Sequence, residues 1–154
     1  MSKVKDVLRF LFISPEFMIL LAIAGVYLTY PDPLSWVGAA LKANSDALAY
    51  WPTIPIGLTV YAFSRGGKLL HPREAESNRD IYDWPDFWRL KSRVIASVVI
   101  CSLASLLALF TWLAADQLSM AAIGIGAVLS MSIAATSTFL LYLAWLRMRE
   151  LAET

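Results

Sequence analysis

Residues 94–146 read VIASVVICSLASLLALFTWLAADQLSMAAIGIGAVLSMSIAATSTFLLYLAWL, and Asp116 is the only charged side chain among them. A run this long and this apolar exceeds one core helix of a soluble domain. Interrupted at Asp116-Gln117, it reads as two apolar helices joined by a tight hairpin, written for lipid rather than for water. The two predicted spans run from about residue 94 to 113 and from about 118 to 146. The latter has 29 residues, or about 43 Å if wholly helical. It must therefore tilt, or project into the cytoplasm, before Arg147, Arg149 and Glu150.

The rest of the chain agrees with that solvent. Of its 154 residues 58% are hydrophobic and 16% charged, with a mean hydropathy of +0.61; a soluble domain is about one quarter charged. Cys101 and His71 each stand alone. That excludes a disulfide framework, a Cys-based metal site and most zinc or acid–base constellations. The net charge of +1 conceals an asymmetry along the chain.

Upstream, a first span is predicted over about residues 12–30, preceded by Lys3, Lys5 and Arg9. No small-x-small cleavage site follows it, so it reads as a retained signal anchor. Ser14 as N-cap, Pro15 in the first turn and Glu16 behind it form a helix opening. From Pro15 to Tyr30 is roughly 24 Å of helix, a little short for a core of about 30 Å. Pro31-Asp32-Pro33 ends it. An external segment, residues 31–46, is weakly amphipathic and suits either a short surface helix or a polar loop with apolar anchors. A second span is placed at about residues 47–64, where Pro52, Pro55 and Gly57 predict a kinked or broken helix. Such a helix needs neighbours to cover its freed carbonyls, which points to burial in a bundle or an oligomer.

Residues 65–93 form the predicted cytoplasmic loop. Gly66-Gly67 reads as a flexible joint, with no phosphate-loop pattern around it. Trp84-Pro85-Asp86 reads as a helix start running without interruption into the third span, with Trp84, Phe87 and Trp88 floating it at headgroup level. His71 with Glu74, Glu76 and Asp80 has mixed spacing and reads as a solvated loop rather than a metal site. Arg73, Arg79, Arg89, Lys91 and Arg93 are the candidates for contact with anionic lipid headgroups or a cytosolic protein partner; nucleic-acid binding is not expected. Of 13 basic residues only Lys42 lies on the other side of the predicted spans. The positive-inside rule then gives N-in and C-in.

No ionisable side chain lies in the middle of a predicted span, which argues against a pump, a proton-coupled carrier or an intramembrane protease. No catalytic residue, metal site or cofactor is expected. Small and hydroxyl residues carry the remaining signal. Ala122, Gly126, Ser130, Ala134 and Thr138 recur every four residues on the fourth span, and Ser97, Cys101 and Ser105 do so on the third. Such stripes let helix backbones approach closely, so they either pack the two spans together or line a narrow aqueous path in an oligomer. Cys101 at mid-depth is read as a small packing residue.

The order of parts resembles small four-span anti-phage membrane proteins, notably the membrane component of the phage lambda Rex exclusion system. The resemblance is carried by the basic N-terminus, the external segment, the second span ending in Ser64-Arg65, the charged loop and the hairpin. Ala122-Ile123-Gly124-Ile125-Gly126-Ala127 and the closing segment Tyr142 to Glu150 are the local matches. The membrane component of the Kiwa defence system is similar in span count. The resemblance implies an oligomer that alters membrane permeability or senses membrane disturbance with a cytosolic partner, and it supplies no catalytic residues.

The expectation is therefore an all-α polytopic protein of the bacterial inner membrane. It has four transmembrane helices, N-in/C-in, and is assembled as a homo-oligomer. It would sense membrane state or form or gate a passive pore. The alternatives are a non-conducting anchor or scaffold that recruits an effector through the basic loop, and an accessory subunit of a larger membrane complex.

Overall fold

The computed structural model describes residues 15–70 and 87–152, which form six helices and no strand. They are α1 (Pro15–Thr29), α2 (Asp32–Ala43), α3 (Ser45–Tyr50), α4 (Thr53–Leu70), α5 (Phe87–Leu113) and α6 (Met120–Ala152). Two stretches are long and apolar enough to cross a membrane, Leu90–Leu113 of α5 and Met120–Leu146 of α6. A third crossing is reached if α1 and α2, bent by 98° at Tyr30-Pro31, are one broken span. Large apolar side chains such as Leu28, Val60, Leu103, Leu106, Phe110 and Phe139 lie exposed around the bundle. Such a surface suits a bilayer rather than water.

The Asp116-Gln117 hairpin turns the chain between Ala114 and Ser119, where the Ser119 hydroxyl caps α6 by accepting from the Ala122 N–H at 3.2 Å. Helices α5 and α6 then run together. On α5 the buried residues Val94, Ser97, Cys101, Ala104, Ala108 and Thr111 step alternately by three and four. On α6, Ile123, Ala127, Ser130, Ala134, Ser137 and Leu141 do the same. This 3.5-residue period marks a coiled-coil seam, filled mostly with Ala, Ser and Cys, so the backbones approach closely. The contact interlocks at Gly126, where a Cβ would overlap the Thr111 side chain.

Pro52 and Pro55 do break the second apolar segment, and the break is absorbed without loss of backbone bonding. Helix α3, capped by Asn44, whose Oδ1 accepts from the Ala47 N–H, ends at Tyr50. Trp51 and Pro52 turn the chain, and Pro55 falls in the first turn of α4, where the missing N–H has no helical partner to lose. Helix α4 packs on both α5 and α6. It continues past residue 64 to Leu70, so Gly66-Gly67 lies within a helix rather than forming a joint, and the first six residues of the predicted loop are helical. Two contacts carry the helix through. The Arg65 guanidinium stacks on the rings of Trp145 (4.5 Å) and Tyr61 (5.3 Å), and Gly66 lies against Val94 and Val98 of α5.

Of the two readings of residues 31–46, the helical one describes what forms. Helix α2 crosses the first turns of α6 with backbone against backbone. A Cβ on Gly38 would collide with the Met120 carbonyl, and one on Gly124 with the Leu34 carbonyl. Lys42, near the end of α2, donates from Nζ to the Ala115 carbonyl at 3.3 Å. It thus satisfies an acceptor just past the end of α5. Helix α1 packs against α6, and of its residues only Glu16 is buried. Thus α6 touches α1, α2, α4 and α5, and is the hub of the fold.

If the Gly38–Gly124 crossing fixes α2, Gly124→Leu or Gly38→Leu will lower stability by about 1–3 kcal/mol through overpacking. Gly25→Ala, where an added Cβ meets nothing within 4 Å, will change it by less than about 1 kcal/mol in either direction. Thermal unfolding of the purified variants in one detergent reads both; equal losses at the two kinds of site would contradict the crossing.

Candidate functional site

Where α4, α5 and α6 meet, a cluster of small polar groups closes the interior. The Thr59 hydroxyl of α4 lies 2.7 Å from Ser105 Oγ and 3.0 Å from the Cys101 carbonyl of α5. One consistent proton order is Ser105 O–H to Thr59 Oγ1, then Thr59 O–H to the Cys101 carbonyl. Cys101 Sγ lies 3.8 Å from both the Ala134 carbonyl and Thr138 Oγ1 of α6. Thr138 in turn donates to the Leu58 carbonyl of α4 at 3.4 Å. The three helices are thereby joined pairwise. All of Thr59, Cys101, Ser105, Ala134 and Thr138 are buried.

Spans pack without help from the hydrophobic effect when lipid already surrounds them, so such bonds and close contacts must do the joining. The Leu58 carbonyl receives the Thr138 hydroxyl as a donor from α6, which ties the two helices at that turn. Hydroxyls and a thiol of this kind orient helices; they supply no general acid, base or metal ligand set. Among the described residues no group of His, Cys, Asp or Glu is placed to hold a metal ion.

The structure distributes the predicted residues unevenly. Ser97, Cys101, Ser105, Gly126, Ser130, Ala134 and Thr138 are buried within one chain, whereas Ala122 is half-buried. A strict four-residue stripe rotates by about 40° per step on a 3.6-residue helix, about 160° from Ala122 to Thr138. Gly126 and Thr138 nonetheless both meet α5, at Thr111 and at Cys101 Sγ, and Thr138 also reaches α4. Ser130 turns its hydroxyl back onto the Ala127 carbonyl of its own helix at 3.1 Å. Lys91 is half-buried and Arg93 exposed. Phe87, Trp88 and Arg89 lie in the first turn of α5, with side chains outside the described residues. Trp84, Arg73 and Arg79, and the His71, Glu74, Glu76 and Asp80 group, also lie outside the described residues.

Three contributors escape a reading by residue type. Thr59 is one hydroxyl in a proline-interrupted segment, and only the period through Pro55, Ala62 and Gly66, all buried, marks its face. Arg65 counts in the sequence as topology, yet its cation clamps α4 to Trp145 of α6. Glu16 reads as a helix-opening carboxylate. In the fold it is 6% exposed and accepts a hydrogen bond from the Ser137 hydroxyl at 3.1 Å. Ser137 lies 17 residues into α6, about 26 Å from its start, so an ionisable group touches the interior of a predicted span after all.

In comparisons with protein-family models, with curated proteins and with solved structures, nothing matches this chain. The functional reading rests on the residues and their arrangement.

The junction predicts non-additive mutational effects. Thr59→Val and Ser105→Ala will each destabilise the protein, and the double variant will lose less than their sum, with a coupling of about 0.6–1.7 kcal/mol. Unfolding midpoints of the four proteins in a double-mutant cycle measure it; strict additivity would mean that the two hydroxyls do not meet.

Proposed function

We propose that the chain is a four-crossing protein of the bacterial inner membrane, with both termini in the cytoplasm, that assembles as a homo-oligomer and senses membrane state. The observation that carries this reading is the contrast between two parts of one chain. Helices α4, α5 and α6 interlock through small residues and a bonded polar junction, whereas α1 leans on α6 with Glu16 as its one buried side chain. An apolar helix held along one side responds to bilayer thickness or tension before a packed bundle does, because few contacts oppose its movement. Its displacement would alter the Glu16–Ser137 bond and so reach the hub helix. Basic cytoplasmic residues would then pass the signal to a soluble partner. Anti-phage defence is the setting that the resemblance in span order supports.

A passive pore is the second reading. Of the side chains that would line it, Ser105, Cys101 and Thr138 are turned into the three-helix junction and bonded there. A conducting path would have to open that junction or run between protomers. An anchor or scaffold that recruits an effector through the basic loop would need neither event.

Spin labels decide among these. In a Cys101→Ala background, one pair is placed at the exposed positions Leu21 of α1 and Phe139 of α6, and a control pair at Leu106 of α5 and Phe139. Proteoliposomes of thin and thick bilayers, loaded with a fluorescent dye, are compared. The sensor reading predicts that the first distance changes by several ångströms while the control stays constant and the dye is retained. Movement of both pairs with dye release favours the pore; two constant distances leave the scaffold.

A further inference from the structure

Helices α4 and α5 diverge toward the bundle surface and leave an apolar groove of about 450 Å³ between them. Gly66 and Gly67 shape it from the α4 side. Gly66 brings the two helices together, with Val94 and Val98 closing behind it. At Gly67 an added Cβ would meet nothing within 4 Å, so the channel stays open beside it. Phe63, Ile95, Val99 and Leu103 form the walls, each about half exposed or more. The volume falls in the range of small-molecule pockets, but almost nothing in the lining can hydrogen-bond, so the body of any occupant is hydrocarbon.

Charge identifies the other end of that occupant. Lys68 follows Gly67 directly and is exposed; Lys91 precedes Ile95 by one helical turn and is half-buried. Among the described residues neither lysine has an acidic neighbour on its own helix. Helices α4 and α5 carry Arg65, Lys68, Arg89, Lys91 and Arg93, and no acidic residue at all. From Lys91 to Leu103 is 12 residues, about 18 Å along the helix, close to the depth of one leaflet of a ~30 Å hydrocarbon core. A groove of leaflet depth with the basic residues Lys68 and Lys91 toward one end fits a single lipid chain below an anionic headgroup. Basic recesses between helices on the cytoplasmic side hold such headgroups.

We propose that the α4–α5 groove is a binding site for an anionic phospholipid, its acyl chain between Phe63 and Leu103 and its phosphate between Lys68 and Lys91. The site rests on the reading of α4 and α5 as membrane helices, and it gives the sensing role a ligand whose abundance reports membrane composition. Headgroup attraction by each lysine accounts for about a fivefold preference over a zwitterionic lipid, so the pair sets most of the selectivity.

The test uses the full chain, stripped of lipid in a mild detergent and titrated with phosphatidylglycerol or with phosphatidylcholine of the same chains. Bound lipid is counted by native mass spectrometry. Phosphatidylglycerol will bind at least tenfold more tightly than phosphatidylcholine. Lys68→Gln with Lys91→Gln will erase most of that preference while leaving phosphatidylcholine binding in place. Gly67→Leu, which fills open space, will weaken both lipids at unchanged thermal stability. Equal affinities for the two lipids, or selectivity that survives both sets of substitutions, would overturn the site. So would a Gly67→Leu chain that keeps its lipid but falls to a smaller assembly than the unsubstituted chain, since the groove would then belong to a second copy. Alkaline carbonate extraction of cell membranes runs in parallel. A chain released by carbonate negates the membrane reading itself, whereas a retained chain without selectivity negates the groove alone.

Discussion

Everything in this fold hangs on how closely α6 can be approached. In an apolar solvent a leucine gains nothing by touching another leucine rather than a lipid tail, so helices associate only where backbones come near and polar groups find partners. The chain meets that constraint twice on one helix. Near the start of α6, Gly38 and Gly124 let α2 lie against it, each glycine facing a backbone carbonyl of the other helix. Further along, Gly126 and Ala134 receive Thr111 and Cys101 of α5, and Thr138 ties in α4 through the Leu58 carbonyl. The bulkier apolar side chains are left outside, among them Leu103, Leu106 and Phe110 of α5. This inverts the soluble pattern of large residues inside and polar residues outside.

That inversion explains which parts were legible. Residues 94–146 announce two long helices because an uncharged run of this length has few other folds. The Asp116-Gln117 turn and the break before α4 follow from composition and proline placement. The register of contact was legible only in part. Counting every fourth residue finds the small side chains of α6, of which Gly126, Ala134 and Thr138 meet α5. It does not show that Thr138 also reaches α4 or that Ser137 meets Glu16 of α1. Extension of α4 to Leu70 was hidden because Arg65, Gly66, Gly67 and Lys68 look like a loop until Trp145 and Val94 arrive from distant sequence. Glu16 was hidden for the same reason, since its partner Ser137 is 121 residues away.

The weakly held part and the tightly held part have different chemistry as well as different packing. Helix α1 presents Met18, Leu21, Val26 and Leu28 outward and places a carboxylate against a serine hydroxyl of the hub. A bond between a carboxylate and a hydroxyl at this depth is costly to leave unmade, because lipid offers no substitute partner. On the proposed sensing role, motion of α1 would trade that contact against the energy of the bilayer, and the basic residues of α4 and α5 would respond to headgroup composition.

The central claim is that the polar junction closes within one protomer. Cysteines introduced at Thr59 and Ser105, whose oxygens are 2.7 Å apart, in a Cys101→Ala background test it directly. After mild oxidation in native membranes, the account predicts a disulfide inside a single chain, seen as a monomer of altered mobility that reverts on reduction. A ladder of covalent dimers formed through the same pair, with no internal bridge, would place these hydroxyls between chains and contradict it.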